Sequence, residues 1–152
     1  MKLTKLRKAL IDNQVDAILI TNEYNRRYMT GFTGTAGVAI VSQNDAVFIT
    51  DFRYTEQAAE QVKDFRIEQH KGTIFEEVAK QVALMGAKTI AFEKDAMHYG
   101  TYEVYKSAVK ADFVPLSGLI EKIRLIKSQE EINIIKVACE IADNAFTHIL
   151  NF

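Results

Sequence analysis

The sequence has almost no cysteine and no long apolar run. Cys139 is the only cysteine among 152 residues, so an intramolecular disulfide is excluded. We interpret Cys139 as a small hydrophobic side chain that is buried in a protein of a reducing compartment. No run approaches the roughly 18 apolar residues that a membrane span requires, so we expect no membrane partner. Together these absences predict a cytoplasmic protein.

An excess of charge of one sign is also missing. Nineteen basic and twenty acidic side chains leave a formal net charge of -1. Proteins that bind nucleic acid usually carry an excess of positive charge, which is missing here, so we expect no nucleic-acid partner. The basic start, residues 1–8, is not followed by a long apolar segment. It is typical of an amphipathic helix rather than of a signal peptide.

The spacing of apolar residues predicts strands and helices in alternation, after an opening helix that ends near residue 13. A loop is predicted for residues 21–37. The predicted strands cover residues 17–20, 38–41, 46–50, 65–68, 89–92 and 112–114, and the later helices cover 54–62, 74–85, 99–109 and 118–126. Alternation of this kind implies an α/β domain whose helices cover a sheet. The hairpin formed by residues 38–50 makes that sheet mixed.

The end of the chain predicts a long amphipathic helix with little of its own domain to pack on. Ser128 and Glu131 have the spacing of a capping box, and an apolar stripe runs from Ile135 to Ile149. Burying several such side chains is worth roughly 1.5–3 kcal/mol each. We therefore expect the stripe to pair with a second copy or to fold back onto the domain, unless a further domain covers it.

The glycine-rich segment, residues 31–37, invites comparison with a phosphate-binding loop. A phosphate loop lies between a strand and the N-terminus of a helix, whereas a strand follows this segment. Its spacing is neither that of G-x-G-x-x-G nor that of a Walker motif. We interpret it as a loop that needs positive φ angles and close backbone approach.

Asp51, Arg53 and Tyr54 lie where a predicted strand ends and a helix begins. On a structural interpretation, Asp51 caps the helix, Tyr54 buries its ring and Arg53 stays in water. On a functional interpretation, Arg53 binds a peptide carboxylate bidentately and Tyr54 lines an apolar pocket. The residues alone leave both interpretations open.

No constellation of catalytic or metal-binding residues is visible. His70, His98 and His148 are scattered and form no H-E-x-x-H motif. The aspartates suggest no ligand set, and no G-x-S-x-G motif offers a nucleophile. We therefore expect no catalytic residue, no metal ligand and no bound cofactor in this chain.

Three segments, in this order and spacing, resemble one known family. They are residues 25–37 (NRRYMTGFTGTAG), residues 48–58 (FITDFRYTEQA) and residues 123–132 (IRLIKSQEEI). Together they are similar to the N-terminal domain of Xaa-Pro aminopeptidases and Xaa-Pro dipeptidases, which are relatives of creatinase. The resemblance covers essentially the whole chain.

This resemblance implies a three-layer α/β/α fold with a mixed sheet, described as ribonuclease-H-like. Residues 1–126 would form the creatinase/prolidase N-terminal domain. Residues 127–152 would form a linker helix and the start of a truncated pita-bread catalytic domain. That domain would hold two divalent metals, manganese or cobalt, on ligands that lie beyond residue 152.

The resemblance also implies a role for the chain itself. It would be a non-catalytic domain that contributes to oligomerisation, as a homodimer or higher homo-oligomer, and to substrate access at the catalytic site. Its partners would be its own catalytic domain and, in the whole enzyme, proline-containing peptides. Asp51, Arg53 and Tyr54 match the D-x-R-Y of the family and are the candidate substrate-proximal residues. Phe52 stands where the family often has glycine.

Two alternatives remain open. The chain could belong to a creatinase-like carbon–nitrogen hydrolase that uses the same scaffold without metals. It could also belong to a peptidase-like module that binds proteins. The sequence downstream of residue 152 would discriminate among these, because only a metallopeptidase requires the complete ligand set.

Overall fold

A six-stranded mixed sheet forms the centre of the molecule in the computed structural model, which describes residues 2–150. The strands are β1 (Ala17–Ile20), β2 (Val38–Ser42), β3 (Ala46–Thr50), β4 (Arg66–Gln69), β5 (Thr89–Glu93) and β6 (Asp112–Leu116). Their spatial order is β4-β3-β2-β1-β5-β6. Strand β2 is antiparallel to both of its neighbours, and the other pairings are parallel.

Helices cover both faces of the sheet. They are α1 (Lys2–Asp12), α2 (Glu23–Thr30), α3 (Thr55–Gln61), α4 (Ile74–Leu84), α5 (Tyr99–Ala108), α6 (Leu119–Leu125) and α7 (Gln129–Leu150), and a short 3-10 helix spans Phe52–Tyr54. Successive residues of a strand point to opposite faces. Accordingly, Ile18 and Ile20 pack in the core beneath α1, α2, α3 and α6, while Ala17 and Leu19 pack in the core beneath α4 and α5. The predicted three-layer α/β/α fold is confirmed.

The direction of the strands places most connecting loops at one edge of the sheet. Strands β1, β3, β4, β5 and β6 all end there, and β2 begins there. We call this edge the carboxyl edge. In open α/β sheets, ligands bind beyond the carboxyl ends of the strands. The carboxyl edge is therefore where a functional site is sought first.

The prediction of a loop across residues 21–37 is wrong in its first part, because Glu23–Thr30 form α2. The helix begins at Asn22, whose side chain accepts a hydrogen bond from the backbone N–H of Asn25. It ends at Gly31, which adopts the left-handed conformation with φ 81°. Its inward face carries buried Asn25, Arg26 and Thr30 beside Met29. Those polar residues conceal the apolar period on which the prediction depended.

The remaining strand and helix predictions are confirmed, with small changes of boundary. Strand β6 continues through Pro115 to Leu116, whereas the prediction ended it before the proline. Pro115 is tolerated because β6 is the outermost strand on its side of the sheet. The helix predicted after Asp51 begins as a 3-10 turn and becomes α-helical at Thr55.

Helix α7 forms as predicted but lies outside the core. The capping box is present, because Glu131 accepts from the backbone N–H of Ser128 and the Ser128 hydroxyl accepts from that of Glu131. No α7 residue is buried, so the stripe does not fold back onto the domain, and its pairing with a second copy stays a prediction. The interpretation of Cys139 as buried is wrong for the same reason, since it lies exposed on this helix. Within residues 2–150, no helix is both long and apolar enough to cross a bilayer.

Candidate functional site

The segment from Asp51 to Tyr54, here called the Asp51 turn, leaves the carboxyl end of β3. Asp51 caps the 3-10 helix, because its Oδ1 accepts from the backbone N–H of Arg53 at 3.0 Å. The Arg53 guanidinium also donates to the same carboxylate, from Nε to Oδ1 at 2.9 Å and from Nη2 to Oδ2 at 2.8 Å. Asp51 and Arg53 thus form a bidentate ion pair within one turn.

This ion pair holds Asp51 ionised. The hydrogen bonds from Arg53 lower the pKa of the Asp51 carboxyl to about 2, and the nearby charge of His70 acts in the same direction. Conversely, the carboxylate raises the pKa of the Arg53 guanidinium. The pair therefore keeps both charges throughout the physiological pH range, and neither residue is poised to transfer a proton there.

Tyr54 fixes the turn to the glycine-rich loop. Its hydroxyl lies 2.8 Å from Thr35 Oγ1, within hydrogen-bonding distance. Its ring packs edge-on against buried Phe32 at a centroid distance of 5.6 Å. A Cβ atom added to Gly34 would lie only 2.9 Å from the Tyr54 ring, so the absence of a side chain at Gly34 makes this packing possible.

Two side chains of the Asp51 turn project into solvent. Phe52 is 73% exposed, and the Arg53 side chain is 62% exposed. Asp51 uses the Nε hydrogen and one Nη2 hydrogen of Arg53, so three of the five guanidinium N–H groups are not used by that pair. The turn can therefore offer a carboxylate-binding cation beside an apolar ring. The structure brings Asp51, Arg53 and Tyr54 together, as the sequence suggested, while Tyr54 faces the domain rather than solvent.

Arg26 organises the neighbouring glycine-rich loop from inside, a role that the sequence did not indicate. Its side chain is buried, and it donates to the carbonyl oxygens of Gly34 and Gly37, both at 2.7 Å. Burial lowers the pKa of the guanidinium. A phosphate-binding loop directs backbone N–H groups at an anion, whereas here carbonyl groups converge on a cation. Arg26 thus braces the loop, which has a structural arrangement rather than that of a phosphate-binding loop. This agrees with the interpretation from sequence.

A second polar cluster at the carboxyl edge was also missed. Fully buried Asn25 donates from Nδ2 to Glu93 Oε1 at 2.7 Å and to Glu121 Oε1 at 2.6 Å, and its Oδ1 accepts from Arg124 Nη1 at 2.8 Å. We call these four residues the Asn25 cluster. The sequence did contain one indication of this helix and its buried polar residues. Asn22 and Gly31 are residue types that cap helices, and the polar pair Asn25 and Arg26 lies between them.

Glu93 is the acid of this cluster that joins the sheet to α2. Burial raises the pKa of its carboxyl, and the charge of Glu121 adds to that effect. Hydrogen bonds from the backbone N–H groups of Thr21 and Asn22, both 2.8 Å from Oε2, act in the opposite direction. These N–H groups lie at the N-terminus of α2, where a negative charge is favoured by the helix dipole. Glu93 thus ties the end of β5 to the start of α2.

The three histidines lie on separate elements, as the sequence suggested. His70 Nδ1 lies 2.8 Å from the carbonyl oxygen of Gly72, His98 precedes α5, and His148 is on α7. Within residues 2–150, no group of three or more histidine, cysteine, aspartate or glutamate side chains is arranged to hold a metal ion. The described residues therefore do not fit a metal centre.

A groove of about 660 Å³ separates the domain from the first half of α7. Tyr24 and Tyr28 of α2 line one side, Ile134 and Ile135 of α7 line the other, and Arg124 lies between them. Its lining combines apolar side chains with charged groups of both signs, Arg124 and Glu131 among them.

Comparison with known proteins matches the chain to one family. Residues 2–126 match the family described as "Creatinase/Prolidase N-terminal domain". A Bacillus subtilis protein named "Uncharacterized peptidase YqhT" is 51% identical over 153 residues, which cover 100% of this chain and 43% of that protein. The chain thus spans less than half the length of this relative.

Solved structures agree with the family match. The structure titled "Xaa-Pro dipeptidase from Bacillus anthracis" has a TM-score of 0.96 at 52% identity, over 99% of this chain and 42% of that chain. The N-terminal domain of the cytoplasmic peptidase PepQ from Mycobacterium tuberculosis has a TM-score of 0.73 at 28% identity, over 80% of this chain and 96% of that chain. The chain therefore belongs to the creatinase/prolidase N-terminal domain family.

Proposed function

We propose that the chain is the non-catalytic N-terminal domain of a metal-dependent Xaa-Pro peptidase. The observation that carries this proposal is the 52% identity with a Xaa-Pro dipeptidase over 99% of the chain. The same match covers only 42% of that dipeptidase, so the proposal assigns the chemistry to the remaining part. Relatives named as peptidases also favour this reading over a creatinase-like hydrolase or a protein-binding module.

The proposed metals, manganese or cobalt, belong to that remaining part, since residues 2–150 do not fit a metal centre. When bound, such a metal pair would polarise the carbonyl group of the peptide and activate a water molecule. In this proposal, residues 2–150 contribute no ligand to the metal pair. The chain's own residues act by shaping the surface that the peptide approaches.

Partner binding is proposed for α7 and the adjoining groove. The helix lies outside the matched residues 2–126, and its apolar side chains, including Ile141, Phe146 and Ile149, are exposed. We assign this face to the catalytic domain of the same chain and propose a homodimer for the whole enzyme in the cytoplasm. Burial of each such side chain is worth about 1.5–3 kcal/mol, enough to hold two domains together.

Substrate access is assigned to the Asp51 turn. The bidentate ion pair and the Tyr54–Thr35 contact give the turn a defined shape, and Arg53 and Phe52 project from it. In a homo-oligomer this turn would approach the catalytic site of a neighbouring subunit. Arg53 would bind the carboxylate of a short peptide, and Phe52 would limit the length of peptide that fits.

Activity assays of the 152-residue chain and of the whole protein test the proposal. Both are incubated with Xaa-Pro dipeptides and longer Xaa-Pro peptides, with manganese or cobalt and with a chelator. We expect metal-dependent release of the residue before proline by the whole protein and no turnover by the chain. Metal-dependent turnover by the chain would contradict the non-catalytic assignment. Metal-independent hydrolysis of creatine would identify the carbon–nitrogen hydrolase instead, and absence of any hydrolysis would favour the binding module.

A further inference from the structure

The Asn25 cluster connects parts of the chain that are far apart in sequence. Asn25 is separated by 68 residues from Glu93, by 96 from Glu121 and by 99 from Arg124. Its three hydrogen bonds therefore join α2, the end of β5 and α6 at one buried point. The proposed role in substrate access uses none of these residues.

Only an amide side chain of this size satisfies the cluster. Asn25 offers two N–H donors, one to each of two carboxylates, and one oxygen that accepts from Arg124. Aspartate has no donor and would place a third negative charge against Glu93 and Glu121. An apolar residue would remove one of the donors to the half-buried Glu93 carboxylate. The chemical identity of residue 25 is thus specified by contacts on both sides.

The two sides of the cluster differ in how firmly they are held. On the sheet side, Glu93 Oε2 accepts from the backbone N–H groups of Thr21 and Asn22. On the other side, Glu121 and Arg124 lie three residues apart on the same face of α6. Helix α6 consequently depends on Asn25 for its polar attachment to the carboxyl edge.

The direction of α7 depends in turn on α6. Only residues 126–128 separate the two helices, and no α7 residue is buried against the domain. The ion pair between Glu131 and Lys2 spans 4.0 Å, at the surface, between a half-buried and an exposed side chain, and is worth at most about 1 kcal/mol. Apart from the packing of Ile120 and Ile123 on the core, the polar attachment nearest to α7 is therefore the Asn25 cluster.

We propose that the Asn25 cluster is a positioning device that fixes α6, and through it the direction of α7, relative to the carboxyl edge of the sheet. It sets the orientation of whatever polypeptide α7 carries. The inference does not depend on the reaction proposed above, because it concerns only geometry within residues 2–150.

A distance measurement between two spin labels tests the proposal on the 152-residue chain. Cys139 is exposed on α7 and is the only cysteine, and Leu84→Cys adds an exposed site on α4. We expect one narrow distance distribution by pulsed electron paramagnetic resonance for the parent pair. Asn25→Asp should broaden the distribution, because its carboxylate repels Glu93 and Glu121.

A second variant keeps the test decisive if Asn25→Asp does not fold. Glu121→Ala combined with Arg124→Ala removes the α6 side of the cluster and leaves Glu93 bonded to the start of α2. Both residues lie near the surface, so the core is retained. This double variant should broaden the distance distribution while circular dichroism shows a folded domain. Unchanged distributions in the folded variants would overturn the proposal.

Rescue and control variants separate positioning from general damage. Adding Glu121→Gln to Asn25→Asp lets the new amide donate to the new carboxylate, so we expect a narrower distribution than for Asn25→Asp alone. Lys122→Ala removes an exposed charge from the same helix outside the cluster and should leave the distribution unchanged. Equal broadening by Lys122→Ala, or no rescue by Glu121→Gln, would count against the assigned role of Asn25.

Discussion

Two arginines beside the glycine-rich loop have opposite roles at the residue scale. Arg26 is buried, and its guanidinium donates to backbone carbonyl oxygens of the loop. Arg53 is exposed, and Asp51 holds only one side of its guanidinium. Burial lowers the pKa of Arg26, whereas the carboxylate raises that of Arg53. Arg26 therefore supports the loop, and Arg53 remains able to meet a ligand.

Replacement of Arg53 should change the titration of Asp51. Arg53→Gln removes the ion pair, so the pKa of Asp51 should rise from about 2 towards the usual 3.8. Because the folded-state pKa is lowered, this carboxylate stabilises the fold above pH 3.8, and the contribution is lost as the pH falls towards 2. Carbon-detected nuclear magnetic resonance titration of Asp51 checks the change.

Lys63→Gln serves as the control, because it removes an exposed cation outside the turn. The pKa of Asp51 should stay low in that variant. A pKa of Asp51 that is equally low in Arg53→Gln would show that another group stabilises the carboxylate.

Replacement of Gly34 should disturb the packing of Tyr54. In Gly34→Ala, the new Cβ atom would lie 2.9 Å from the Tyr54 ring and closer still to Phe32. Crowding of this kind costs about 1–3 kcal/mol, so the free energy of unfolding in urea should fall by that amount. Gly100→Ala is the matched control, since Gly100 lies in α5 with open space around it. It should be neutral or stabilise by about 0.5–1 kcal/mol.

At the element scale, apolar periodicity was sufficient to predict a helix or strand that has one clearly apolar face or a continuous apolar run. Strands β1 to β3 and helices α1 and α4 are of this kind, and their predictions are confirmed. Helix α2 was missed because Asn25 and Arg26 occupy its buried side. Polar residues enter a core only when distant partners satisfy them, and no local pattern reveals those partners.

The candidate site was predicted unevenly for the same reason. Asp51, Arg53 and Tyr54 are close in sequence and form a local turn, so their proximity could be predicted. Their roles as substrate-proximal residues stay a prediction. The Asn25 cluster requires contacts across 68 to 99 residues, which the sequence alone did not indicate.

Two helix caps should respond differently to replacement. Asn22→Ala removes the side-chain cap of α2, a helix within the core, and should lower the free energy of unfolding by about 1 kcal/mol. Ser128→Ala removes the corresponding cap of α7, which has no buried residue. It should reduce the helicity of α7 and leave the urea midpoint of the domain unchanged.

Circular dichroism measures the loss of helicity, and urea unfolding followed by tyrosine fluorescence measures the loss of domain stability. Tyrosine fluorescence is suitable because the chain has six tyrosines and no tryptophan. An equal loss of domain stability in both variants would show that α7 packs on the domain more firmly than its exposure indicates.

At the scale of the whole molecule, the chain combines a complete three-layer fold with an uncovered helix. In the proposed function, another domain carries out the chemistry, and this domain shapes the surface along which the peptide approaches it. The Asp51 turn and α7 would then serve different neighbours, the turn a second subunit and the helix the catalytic domain. A kinetic experiment on the whole enzyme can examine the turn separately.

Arg53→Ala in the whole enzyme should raise KM for Xaa-Pro dipeptides and leave kcat nearly unchanged. A hydrogen bond to a charged group is worth about 1.5–3 kcal/mol, which corresponds to roughly tenfold to a hundredfold in KM. Steady-state kinetics with manganese check this expectation, and Lys63→Ala is the control for loss of an exposed cation. A fall in kcat without a change in KM would contradict the assignment of Arg53 to ground-state binding.

The outer strands of the sheet restrict how copies of the molecule can associate. In β6, Pro115 offers no N–H group to an incoming strand, and Asp112 adds a charge at its start. In β4 on the opposite side, Arg66 forms ion pairs with Glu68 and Asp45 along the rim. Proline and charge on outer strands oppose the addition of further strands, and with it fibrous aggregation. The proposed self-association would therefore use helices and loops, where it can close into a finite assembly instead of an open-ended one.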